Sequence, residues 1–146
     1  MIPLLALFGW VMLGFIGLAF LESTVEGELA GGEGTKGWRR SILGYKVKEY
    51  HFWLWFVVVP IFVFSPLLVI GLELRVLGTL AIAYLLGGVV EDFVYFLVNP
   101  YFGLGKWNSK DARWMPWVRI GRIEVPQFYA RNVVAAGVVW LLLVWY

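Results

Sequence analysis

Residues 76–98 read VLGTLAIAYLLGGVVEDFVYFLV. A helix over this stretch is about 35 Å long at 1.5 Å per residue, enough to cross a hydrocarbon core of about 30 Å. Inside it stand two adjacent acids, Glu91 and Asp92. A carboxylate at membrane depth is costly and needs a partner, a cavity or a ligand. The rest of the chain has to supply one of these.

Composition agrees with a lipid setting. The chain has 146 residues, 61% hydrophobic and 15% charged, with mean hydropathy +0.78. Soluble domains carry roughly 25% charged residues, and a chain this short in water would expose much of its apolar surface. The net charge of +2 is explained by basic groups flanking spans, so the expected partner is membrane lipid and not nucleic acid. With no Cys and one His, disulfides, thiolate sites and a three-His zinc site within one subunit are excluded.

Three further spans are expected, over 2–21, 52–72 and 126–146, with links at 22–51 and 99–125. The first is uncharged and lacks a basic leader or a clear cleavage site, so it reads as a retained helix. Its Gly9, Gly14 and Gly17 suggest close approach of a neighbouring helix. The second contains Pro60 and Pro66 and should be bent. Leu72–Arg75 is so short a connection that the second and third spans must form an antiparallel pair. Starting the fourth at Pro126, a residue suited to a helix's first turn, puts Arg131 and Asn132 inside the span. The fold class is thus all-α: a polytopic four-transmembrane-helix bundle, one domain over 1–146, with two amphipathic aromatic-basic links.

The first link is acidic, then glycine-rich, then basic. Its Gly32–Gly37 segment matches G-x-G-x-x-G, but no strand precedes it and Thr35 stands before Lys36, so it reads as a flexible linker. Trp38, Arg39, Arg40, Lys46 and Lys48 have the composition of a membrane-surface segment. In the second link Asn99-Pro100 ends the third helix. There Trp107, Trp114 and Trp117 alternate with basic residues, and either a short surface helix near Asn108–Asp111 or a hairpin over 118–125 fits. The two halves share a layout without aligned residues.

Lys and Arg divide sharply: five in the first link, one (Arg75) between the second and third spans, and six from Lys106 to Arg131. The positive-inside rule then puts both links in the cytoplasm and both termini outside.

Counted from Asn99, Glu91 lies about 12 Å inside its helix, and Arg131 lies about 7.5 Å inside the fourth from the same side. Arg131 is therefore the expected partner of Glu91 or Asp92, leaving the other acid available. Tyr84, Gly88, Glu91 and Tyr95 share a helical face, Tyr129 and Asn132 add polar groups, and Glu49 and His51 approach from the second span. The ligand-binding candidates are Glu91, Asp92, Arg131, Asn132, Tyr95, His51 and Glu49; Glu91 and Asp92 are also the acid–base candidates. Glu49, His51, Glu91 and Asp92 offer N and O donors of the kind Zn, Mn or Fe accept, but His-x-x-x-His and Glu-x-x-His are missing, so a metal ion is possible with weak support, no metal ligands are assigned and the cofactor is left unknown. No serine-nucleophile motif is present.

Three functions are consistent with this pattern. One is binding of a small ligand or ion in the cytoplasmic half of the bundle, with transport as an extension. Another is an enzyme on a lipid or other hydrophobic substrate. The last is a structural or assembly protein. A carboxylate facing a cavity without a basic partner separates the first two from the third. A pore would require a symmetric homo-oligomer, since one subunit is too small to enclose one.

Overall fold

The structure, a computed structural model, describes residues 3–42 and 45–145. The expected ends at Ile2 and Tyr146 lie outside them. Helix α1 (Leu4–Glu26) does not stop at its first charge. It continues through Glu22 and Glu26 until Gly27, at φ 54°, closes it with an N–H to the Ser23 carbonyl. A left-handed φ favours glycine at that cap.

Strands β1 (Arg39–Ile42) and β2 (Tyr45–Lys48) form an antiparallel hairpin that runs directly into helix α2 (Glu49–Ile70). The bends expected in α2 are present. A wide π turn over Leu54–Val58 precedes Pro60, which lacks an N–H and crowds the carbonyl four residues back. A second break falls at Ser65–Pro66. Gly71, at φ 87°, turns the chain into helix α3 (Leu74–Val98). Buried Asn99 ends α3 by accepting the N–H groups of Tyr101 and Phe102 on its side-chain oxygen. A second hairpin, β3 (Trp117–Ile120) with β4 (Ile123–Pro126), leads into helix α4 (Gln127–Val144).

All-α is therefore corrected to mostly helical with two small two-stranded sheets. Of the two readings of the second link, the hairpin is the one formed, its turn made possible by Gly121 at φ 63°. The links also pack on the helices and on themselves. Trp114 stacks on Phe96 of α3 at 6.2 Å, and Trp107 meets Trp117 edge-on at 5.5 Å. Gly32–Gly37 is likewise folded rather than a free linker. Glu33 is clamped by Arg39 at 3.0 Å and Lys48 at 2.9 Å, which holds its carboxyl below the usual range, Lys48 being the main cause.

The halves correspond more closely than their letters show. Leu7, Val11, Ala19, Glu22 and Glu26 of α1 and Val76, Leu80, Gly88, Glu91 and Tyr95 of α3 are all buried, each pair 69 positions apart. Both hairpins have the same register and enter a helix without a linker. Glu26 bonds its own counterpart Tyr95, and Phe15 meets its counterpart Tyr84 at 6.4 Å. Contact between equivalent positions means that α1 and α3 run parallel about a local two-fold axis.

Close helix approach occurs at Gly87 and Gly78 rather than at Gly9, Gly14 and Gly17. A Cβ on Gly87 would sit 2.1 Å from the Phe15 ring, whereas the three α1 glycines face open space. They lie on the side of α1 away from its buried stripe. One apolar cluster, with Leu7, Val11, Phe15, Val63 and Leu80, fills the end remote from the links. A second, with Ala19, Phe96, Ala112 and Met115, sits beneath the hairpins. All four long helices are apolar enough to cross a membrane, and large side chains such as Leu68 and Trp10 project outward.

Candidate functional site

A cavity of about 570 Å³ opens among the four helices and is bounded on the link side by β2 and Trp114. This volume lies within the range of small-molecule sites, roughly 300–1,000 Å³. Its polar wall is built from helical spacing. Glu22 and Glu26 are one turn apart on α1, and Glu91 and Asp92 stand at the matching depth on α3. The break at Gly27 lets the chain fold back, so the Gly31 N–H donates to Glu26 Oε2 at 2.8 Å. The Tyr95 hydroxyl donates to the same oxygen at 2.9 Å. Tyr50, at the start of α2, donates to Glu22 at 3.1 Å.

His51 follows Tyr50, and its Nε2 lies 3.1 Å from Glu26 Oε1 and 3.9 Å from Glu22 Oε1. Glu22 on α1 and Glu91 on α3 line the same cavity. Glu91 is only 4% exposed, and its Oε1 has no hydrogen-bond partner among the described residues. Asp92 is engaged by the Tyr129 hydroxyl, which donates to Oδ2 at 2.7 Å. Aromatic rings, among them Trp55, Tyr84 and Tyr45, complete the wall, and the Tyr84 hydroxyl is anchored on the Trp55 carbonyl.

Six of the seven binding candidates line this cavity: Glu91, Asp92, Arg131, Asn132, Tyr95 and His51. Asn132 donates to the Leu85 carbonyl at 3.0 Å, fastening α4 to α3. Glu49 is elsewhere: its carboxylate accepts the Trp38 N–H at 3.2 Å, at the base of the first hairpin. The expected pairing of Arg131 with Glu91 or Asp92 is not formed. The exposed Arg131 guanidinium lies over the Tyr45 ring at 5.5 Å. Depth along the helix was compatible, but the side chain leaves α4 in a direction that meets β2.

Glu22, Glu26 and Tyr50 belong to the site although sequence reasoning left them in the first link. A signal was present: Leu7, Val11, Phe15, Ala19, Glu22 and Glu26 are spaced by four, four, four, three and four, one unbroken helical stripe.

Chemically the cavity is a sink for positive charge. Four carboxyl groups line it, and of the basic side chains nearby Lys48 is held by the Gly31 carbonyl and Glu33 and Arg131 lies over Tyr45, while Lys46 lines the cavity without an ion pair to these acids among the described residues. Like charges this close require a proton or a cation between them. Compared with known protein families, curated proteins and solved structures, the chain matches none of them.

Proposed function

We propose that this chain is a four-span integral membrane protein that binds a small cation or cationic ligand in the cytoplasmic half of its bundle. The observation that carries the reading is Glu91, buried and facing a cavity with one carboxylate oxygen unpartnered among the described residues. A purely structural role would predict a satisfied ion pair and no cavity. Aromatic rings beside carboxylates suit an organic cation as well as a metal ion. The concentration of basic residues in both links is what supports a cytoplasmic cavity with both termini outside. Carriage across the membrane extends the same reading, because two like halves around a central site are an architecture that can rock.

The test is thermal unfolding of the detergent-purified chain with tetramethylammonium, choline, Zn²⁺ or Mn²⁺, against sodium chloride of equal ionic strength. At a ligand concentration 100 times Kd, binding stabilises by about 2.7 kcal/mol. A rise in midpoint with at least one cation, abolished by Glu91→Gln, supports the reading. No rise with any of the four overturns it.

The Tyr129–Asp92 pair at the cavity wall favours a second reading. In it the site is a membrane-embedded enzyme on a hydrophobic substrate, with Glu91 or Asp92 as acid or base. Loss of turnover without loss of ligand binding in Asp92→Asn would favour it.

A further inference from the structure

We infer that Glu22, Glu26 and His51, completed by Glu91, form a binding site for one divalent transition-metal cation of the Zn²⁺ or Mn²⁺ kind. The inference rests on the reading of the cavity as a cation site and names its occupant. One donor atom from each of Glu22, Glu26 and His51 lies within 4.8 Å of the others. Ligands around a tetrahedral ion with bonds of about 2.0–2.2 Å stand roughly 3.3–3.6 Å apart. The observed 3.1 and 3.9 Å from His51 Nε2 to the two carboxylates bracket that spacing, so rotamer-scale movement closes these three, while Glu91 lines the same cavity from outside that group and would complete it by turning its free Oε1 toward them.

The carboxylates are also pre-oriented. Glu26 gives Oε2 to Tyr95 and the Gly31 N–H, which leaves Oε1 aimed at His51. Tyr50 holds Glu22 by donating to Oε1, the same oxygen that lies 3.9 Å from His51 Nε2, so a bound ion would share that oxygen with the Tyr50 hydroxyl. Outer hydrogen bonds of this kind hold metal ligands in place.

Glu91 is the independent observation. It comes from a different helix, is 4% exposed, and leaves Oε1 without a partner among the described residues while lining the same cavity. An apolar bundle does not retain an orphan carboxylate oxygen cheaply. A dication beside it offsets three carboxylates that no Lys or Arg reaches among the described ion pairs. One imidazole with carboxylates selects Zn²⁺, Mn²⁺ or Fe²⁺ over the all-oxygen preference of Mg²⁺ and Ca²⁺.

The experiment strips the full chain in detergent with a chelator, reloads it with ZnCl₂ or MnCl₂ alone, desalts it and measures bound metal. About one ion per chain is expected, with affinity down at least tenfold in His51→Gln and in Glu91→Gln and little changed in Glu49→Gln. Monodispersity and Trp emission identify variants that have not folded. Co²⁺ loading of the unmodified chain supplies a readout free of variants, with intense d–d bands expected for a four-coordinate site containing a His. A folded chain that holds no metal overturns the inference, as does His51→Gln binding as tightly as the parent. If tetramethylammonium still raises the unfolding midpoint while no metal binds, the metal site alone fails. If neither acts, the cation reading of the cavity fails with it.

Discussion

Gly87→Ala probes the contact on which the cavity depends. The added methyl would lie 2.1 Å from Phe15 Cδ2 and 2.2 Å from Cε2. Carbon atoms rest about 3.5–4.0 Å apart, so the ring must withdraw by about 1.5 Å. It has little room. Phe15 is 2% exposed, stacks on Trp55 at 5.9 Å and leans on Tyr84 at 6.4 Å. Overpacking of this kind costs about 1–3 kcal/mol, against which alanine's better helix propensity returns about 0.5–1 kcal/mol. The net expectation is a loss of about 1–2 kcal/mol. Trp55 and Tyr84 also line the cavity, so cation binding should weaken in step. Unfolding in mixed micelles titrated with sodium dodecyl sulfate reads the stability. Phe15→Leu should relieve the clash, giving a double-mutant coupling of about 1 kcal/mol or more. Gly14→Ala, where the methyl meets open space, is the control and should be neutral or slightly stabilising. Gly87→Ala as stable as the parent, with no coupling to Phe15, would refute the close packing of α1 on α3.

Arg131→Ala should cost no more than about 1 kcal/mol, the worth of an exposed cation–π contact, and should add to Asp92→Asn without coupling; a coupling above that size would restore the ion pair. The Glu33 clamp should respond to acid. Its carboxyl is held below 4.5, so its contribution is present above pH 4.5 and is lost as pH falls through the lower folded value. Trp38 emission followed from about pH 6 to about pH 3 should report the opening, and Glu33→Gln should remove that dependence. For sidedness, single cysteines in this Cys-free chain should react with an impermeant reagent from outside at Glu73→Cys and not at Thr35→Cys or Ser109→Cys; external labelling at Thr35 would reverse the topology.

Local features of the sequence sufficed for four long apolar helices, the breaks near Pro60 and Pro66, the end of α3 at Asn99 and the polar character around Glu91. Each depends on a run of neighbours, and such a run can be read one residue after another. Depth within a helix is equally countable, which is why six of the seven binding candidates meet in one cavity. Direction around a helix is not countable until its neighbours are known. Arg131 stands at a compatible depth, yet it turns to Tyr45. Glu22 and Glu26 look like the start of a polar link, because charge ordinarily ends an apolar span. Only the packing of α1 beside α3 brings them to the same cavity as Glu91 and leaves its Oε1 without a hydrogen-bond partner among the described residues. The reason is geometric. Helix formation follows from contacts three and four residues apart, whereas the partner of a buried charge is set by the rotation of whole helices, and that rotation is decided by side chains far apart in the chain.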